Sequence, residues 1–207
     1  MNLRGFYAVL DRDDPVLAQQ LVDAGACALQ IRLKPGSARD QLALARMARR
    51  ICDVAGVLLI VNDRIDVALA ARADGVHLGQ ADLPIAAARE LARGMLVGVS
   101  THGVAQVRAA VAAGADYLGF GPIFLTRTKR DPDPVQGIAG LLAAVAAAGS
   151  IPIVAIGGIS PATAAEVYAA GASAICAIQA VNDSEDVVRA ATCLQPPPRR
   201  AAPSSEA

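Results

Sequence analysis

Leu58-Leu59-Ile60-Val61-Asn62-Asp63-Arg64, followed by Gly75-Val76-His77-Leu78-Gly79-Gln80-Ala81-Asp82, decides the fold of this chain. Two short apolar runs, Leu58 to Val61 and Gly75 to Leu78, flank a helical pattern over Ile65 to Ala71. That alternation predicts two parallel strands joined by a crossover helix. Asp63 and Asp82 then emerge at the same edge of a sheet, a few ångströms apart. Two hard oxygen ligands at one edge suggest a Mg²⁺ site that handles phosphates. Each aspartate also precedes a helical pattern, so both equally fit the role of helix N-cap.

The same unit recurs outward in both directions. Strand-like runs span Phe6 to Leu10, Ala28 to Arg32, Leu96 to Ser100, Tyr117 to Phe120, Ile153 to Ile156 and Ala174 to Ala177, which makes eight with the two above. Helical patterns lie near Pro15 to Ala24, Ala38 to Val54, Pro84 to Ala92, Val104 to Ala113, Ile138 to Ala148, Pro161 to Ala169 and Glu185 to Cys193. Ser37 with Asp40 forms a capping-box start, and Ser160-Pro161 an N-cap followed by proline at the first helical position. Ala24-Gly25-Ala26, Ala113-Gly114-Ala115 and Ala170-Gly171-Ala172 each sit between a helix and the next strand, where glycine closes a helix in the left-handed conformation. Eight such units with short connections predict an α/β fold, a single (β/α)8 TIM barrel at the small end of its size range, with a doubly wound open sheet as the alternative.

Residues 1–194 are expected to form this one catalytic domain. After Leu194 the composition changes to Gln195-Pro196-Pro197-Pro198-Arg199-Arg200 and a Ser/Pro/Ala end, so 195–207 is expected to be a disordered tail. A formal net charge of +0 over 207 residues removes the footprint that nucleic-acid binding needs. Cys27, Cys52, Cys176 and Cys193 lie far apart without a C-x-x-C pair and read as small core residues in a reducing compartment. Charges at Arg4 and at Asp11 to Asp14 leave no room for a signal peptide, which points to the cytoplasm. No charged residue occurs from Pro134 to Ala165, yet Gly149, Ser150, Pro152, Gly157 and Gly158 divide that stretch into a helix and a buried strand. A membrane span is therefore not expected.

In such a barrel the active site is built from loops after the strands' C-terminal ends. The chain's polar residues collect there: Gln30, Arg32 and Lys34 after the second strand, Asn62 and Asp63 after the third, Gln80 and Asp82 after the fourth, Ser100 and His102 after the fifth. Thr126, Arg127, Thr128 and Lys129 follow the sixth. Cations beside a carboxylate-held metal suit a diphosphate, because each neutralises charge on oxygens that leave or transfer. Gly157-Gly158 and the run Ile175 to Gln179 offer a second phosphate cradle after strands seven and eight. His77 reads as a hydrogen-bonded core histidine, Ser100 has no visible Ser-His-Asp set, and no His/Cys spacing fits zinc.

These residues resemble thiamine phosphate synthases. Gln30-Ile31-Arg32-Leu33-Lys34 is similar to that family's Q-x-R-x-K, Asn62-Asp63 to its N-D, and Gly75 to Asp82 to its G-V-H-L-G-Q-x-D. Gly98 to His102 is similar to its G-x-S-x-H, Gly121 to Lys129 to its G-P-x-F-x-T-x-T-K, and Ala155 to Ile159 to its glycine turn. The resemblance implies a TIM barrel that joins 4-amino-5-hydroxymethyl-2-methylpyrimidine diphosphate to a thiazole phosphate, releasing diphosphate by a dissociative mechanism. It implies that Gln30, Arg32, Lys34, Asn62, Ser100 and Lys129 hold the pyrimidine diphosphate, with Arg32, Lys34, Ser100 and Lys129 the catalytic set. Asp63 and Asp82 would ligate Mg²⁺, and Thr126, Thr128, Gly158, Ile178 and Gln179 would bind the thiazole phosphate. Gln179 stands where the family usually has a small hydroxyl residue, and Cys176 where Val or Ser is commoner. The alternatives are a thiazole tautomerase-like isomerase and a non-catalytic phosphate-ligand sensor. The partners implied are small-molecule substrates, and whether the chain forms a homodimer is left open.

Overall fold

Parallel strands bond only to strands, so an all-parallel sheet must either leave two edges bare or close on itself. Here it closes. The computed structural model describes residues 3–126 and 133–197, and its eight strands pair in sequence order, β1 to β8 and back to β1. The order is β1 (Gly5–Leu10), α1 (Pro15–Asp23), β2 (Ala28–Ile31), α2 (Ala38–Ala55), β3 (Leu58–Asn62), α3 (Ile65–Ala71), β4 (Gly75–Leu78) and α4 (Ile85–Leu91). It continues with β5 (Leu96–Thr101), α5 (Val104–Ala112), β6 (Tyr117–Phe120), α6 (Gly137–Ala148), β7 (Ile153–Ile156), α7 (Pro161–Ala169), β8 (Ala174–Cys176), α8 (Ile178–Asn182) and α9 (Val187–Thr192). No helix among the described residues is long and apolar enough to cross a membrane.

The predicted strands and principal helices are all present, and local chemistry explains their ends. The Ser37 hydroxyl accepts from the Asp40 N–H and the Asp40 carboxylate from the Ser37 N–H, so the predicted capping box starts α2. Gly25, Gly114 and Gly171 take φ of +80°, +85° and +98°, the left-handed turn that the repeated Ala-Gly-Ala requires. One boundary differs in kind. The eighth strand stops at Cys176, and Ile178 and Gln179, which the sequence places in its continuation, open the short helix α8. An apolar run of this length cannot separate strand from buried helix by periodicity alone.

The core has two layers. Leu17, Leu21, Leu44, Leu59 and Leu118 lie in the shell between strands and helices. Tyr7, Val9, Ile60, Tyr117, Val154 and Cys176 fill the barrel interior. Gly98 makes room for the largest of these, since a Cβ there would lie 2.0 Å from the Tyr117 ring. Cys52 and Cys176 are buried as predicted, whereas Cys27 is half-buried and Cys193 exposed on the surface after α9.

The domain also reaches past its predicted limit. Gln195 Nε2 donates to the Ala24 and Gly25 carbonyls at 3.1 and 3.0 Å, and its Oε1 accepts from the Phe6 N–H at 3.3 Å. An amide side chain can close backbone groups in this way, so Gln195 belongs with the barrel's N-terminal end rather than with the tail. From residue 198 onward the predicted tail lies outside the described residues.

Candidate active site

Asn62 lies opposite His77 in the β3–β4 ladder, and the Asp63 N–H donates to the His77 carbonyl at 2.8 Å. Asp63 is thus the first residue beyond β3. Its φ of +60° is left-handed, a region that aspartate tolerates better than most residues, whereas N-caps sit in extended backbone. The N-cap of α3 is Arg64, and no side chain caps that helix. Asp82 caps nothing either: α4 begins after Pro84, and Asp82 Oδ2 accepts from the Gly79 N–H at 2.7 Å. The N-cap alternative is therefore excluded for both aspartates, because neither carboxylate closes a helix.

What they close on is each other. Asp63 and Asp82 lie within hydrogen-bonding reach, and Lys34 Nζ sits 2.6 Å from Asp63 Oδ2. Partial burial first, and then the Asp63 carboxylate, hold the Asp82 carboxyl above its ordinary range, while the Gly79 N–H and Lys34 pull it back down. Two facing carboxylates served by one ammonium and one N–H leave negative charge over. Their donor chemistry fits Mg²⁺, which typically takes one or two carboxylates and completes its shell with water and substrate phosphate. No group of three His, Cys, Asp or Glu side chains that could hold a metal occurs among the described residues.

Arg32, Lys34, Asn62 and Asp63 line a cleft of about 120 Å³ between the ends of β2 and β3. A larger hollow of about 470 Å³ lies at the opposite end of the barrel, where Arg4 is the one charged side chain in its lining. None of the predicted site residues borders it, so size alone misidentifies the site.

Gln30 lies on β2 and Ser100 on β5, and a line of buried side chains connects them. Gln30 Nε2 donates to the Tyr7 hydroxyl at 2.9 Å, and the Tyr7 and Tyr117 hydroxyls are 2.9 Å apart. Tyr117 lies 3.1 Å from His77 Nδ1, and His77 Nε2 lies 2.9 Å from Ser100 Oγ. His77 is the hydrogen-bonded core histidine that the sequence predicts, but its pairing with Ser100 is not visible there, because the two come from adjacent strands. The pair is no hydrolase dyad-plus-acid: the far imidazole nitrogen meets a phenol, not a carboxylate. His102 is engaged with the Gly121 carbonyl at 2.6 Å and with Asp133 at 3.5 Å.

The second predicted cradle also assembles in part. The Ile123 and Phe124 N–H groups donate to the Ile156 and Gly157 carbonyls, both at 2.9 Å, which seats the loop after β6 on the end of β7. Gly158 has φ +64°, and a Cβ there would come within 2.5 Å of the Leu125 carbonyl oxygen. Only glycine allows that approach, and it brings the glycine turn close to Thr126. Ile156 pairs with Cys176, so Ile178 and Gln179 at the start of α8 emerge beside it. Thr128 and Lys129 lie outside the described residues.

The family model described as thiamine monophosphate synthase matches residues 6–181. A thiamine-phosphate synthase of Chloroflexus aurantiacus is 47% identical over 184 residues, covering 89% of this chain and 85% of that protein. One from Pyrococcus horikoshii is 41% identical over 192 residues, covering 91% and 92%. The solved thiamine phosphate pyrophosphorylase from Pyrococcus furiosus superposes with a TM-score of 0.87 at 36% identity, covering 93% of this chain and 94% of that one. A 3-hexulose-6-phosphate synthase, at 21% identity and a TM-score of 0.70, shares the fold.

Proposed function

The chain belongs to the thiamine monophosphate synthase family, and from that premise we propose how its rim carries out the transfer that makes thiamine phosphate. The reaction passes a pyrimidinylmethyl group from its diphosphate to the nitrogen of a thiazole phosphate and releases diphosphate. The observation that carries the assignment of roles is the contact of Asp63 with Asp82 beside Lys34 at adjoining strand ends.

The C–O bond to the diphosphate breaks first, leaving a pyrimidinylmethyl cation that the thiazole nitrogen captures. No nucleophilic side chain is required, and none of the described rim residues is arranged as one. Asp63 and Asp82 would hold Mg²⁺, which when bound stabilises negative charge on the departing diphosphate. Arg32 and Lys34, both from the segment after β2 and both lining the cleft, supply fixed positive charge to the same oxygens, and Lys129 is assigned to join them. Such preorganised charge acts without reorganising at the moment of bond breaking. Gln30, Asn62 and Ser100 orient the pyrimidine end. Thr126, Thr128, Gly158, Ile178 and Gln179 take the thiazole phosphate, with Gln179 contributing through its backbone N–H, since its side chain is larger than the hydroxyl it replaces.

The test is a coupled assay with both substrates, each alone, and both with excess EDTA. Thiamine phosphate should form only with both substrates and a divalent cation present. Undiminished turnover in EDTA would remove the metal role from Asp63 and Asp82.

A further inference from the structure

The chain Gln30, Tyr7, Tyr117, His77, Ser100 crosses the barrel interior from β2 to β5 with no break longer than 3.1 Å. Space has been left for it. Gly98 clears the Tyr117 ring, and a Cβ at Gly119 would lie 3.1 Å from the His77 ring. A line of hydroxyls and one imidazole can be ordered in only two ways, because each phenol donates once and a neutral imidazole carries one N–H. At one end the choice is made: an amide nitrogen only donates, so Tyr7 accepts from Gln30, and the line uses every donor it has when Tyr7 gives its own proton to Tyr117. Tyr117 then donates to His77 Nδ1. The imidazole proton is left on Nε2, where it is donated to Ser100 Oγ.

We propose that Tyr7, Tyr117 and His77 are positioning residues that fix the hydrogen-bond polarity of the pyrimidine site, so that Ser100 presents its proton, and Gln30 its Oε1 acceptor, to the ring. This rests on the assignment of Gln30 and Ser100 to the pyrimidine given above. Burial supports it, raising the pKa of both tyrosines so that the phenols stay protonated. A site of that polarity suits an aminopyrimidine, which offers an amine donor and a ring-nitrogen acceptor side by side. It disfavours the corresponding oxo analogue, which reverses both, and a buried polar mismatch of that kind is a strong source of discrimination.

Two-bond ¹H–¹⁵N spectra of the unliganded, histidine-labelled protein test the polarity directly and independently of activity, since the chain has only two histidines. His77, whose signal is the one retained in His102→Gln, should be the Nε2–H tautomer. Tyr117→Phe breaks the line at its centre, and Tyr7→Phe breaks it one step away should the first variant fold poorly. Either should release that tautomer and lower kcat/KM for the pyrimidine diphosphate roughly tenfold, the effect of one hydrogen bond, with KM for the thiazole phosphate unchanged. An Nδ1–H tautomer in the unsubstituted protein would overturn the proposal. So would variants whose kcat/KM is unchanged and only whose melting temperature falls.

Discussion

Two pairs of aspartates, one at each end of this barrel and each close to strand ends, are treated in opposite ways. At the N-terminal end, Asp74 accepts from the Leu59 N–H at 2.7 Å and from Arg49 at 2.7 Å. Asp116 accepts from the Val97 N–H at 2.7 Å and pairs with Arg89, which also donates to the Gly114 and Met95 carbonyls. Each of these carboxylates has its own cation and its own backbone donor, and each ties two strands together. At the C-terminal end, Asp63 and Asp82 face one another and share Lys34. Asp63 sits there with left-handed backbone. Saturated carboxylates hold a fold; an under-neutralised pair, one of them on strained backbone, needs a ligand to complete it.

That contrast is most severely tested by exchanging charge for amide at both ends. Asp63→Asn or Asp82→Asn should lower turnover by about 10²-fold or more, as loss of a preorganised electrostatic group does, while the melting temperature holds or rises because a repulsion has gone. Asp74→Asn or Asp116→Asn should do the reverse. Each leaves an arginine and a backbone N–H under-served, at a cost of about 1–3 kcal/mol, and each kcal/mol is worth about 2–4 °C in a chain of this size. Turnover per folded molecule should be retained. Equal losses of stability at both ends, read by circular dichroism melts, would erase the distinction.

A second prediction concerns the polar line between the two ends. The folded pKa of His77, about 4, lies below the ordinary 6.5, so the unfolded chain binds the extra proton more readily. The stability this gives is complete above pH 6.5 and is lost as pH falls from there towards 4, up to roughly 3 kcal/mol from the size of the shift. His77→Gln should flatten that part of the stability profile in denaturant titrations, whatever the slope contributed by the carboxylates.

The smallest effect is expected at Gln195. Gln195→Ala removes amide contacts at the N-terminal end and should cost about 1 kcal/mol per effective hydrogen bond, with turnover unchanged. A loss of turnover there would couple the closed end to the working one and blur the comparison.

How much of this was legible in the sequence follows from what each feature depends on. The eight strands were readable because each apolar run is punctuated by a local signal, such as Ser37 with Asp40 or the repeated Ala-Gly-Ala. Asp63 and Asp82 could be placed at one edge, but their pattern alone does not choose between ligand and cap, since a residue that precedes a helical pattern looks like a cap until its φ and partners are known. Asp74 and Asp116 carry no signal of their own, because their arginines come from distant helices. The run from Tyr7 to Ser100 depends on which side chains meet inside a closed barrel, and one-dimensional spacing cannot show that. Gln195 shares the composition of the prolines that follow it, although its amide reaches back across the chain to Phe6, Ala24 and Gly25.

The most direct test of the central claim is Mn²⁺ binding followed by electron paramagnetic resonance, with inorganic diphosphate present and Mn²⁺ standing for Mg²⁺. The unsubstituted protein and Asp74→Asn should take up the ion alike, and Asp82→Asn should not. Equal uptake by Asp82→Asn would contradict the claim that the open pair of carboxylates is built for a cation.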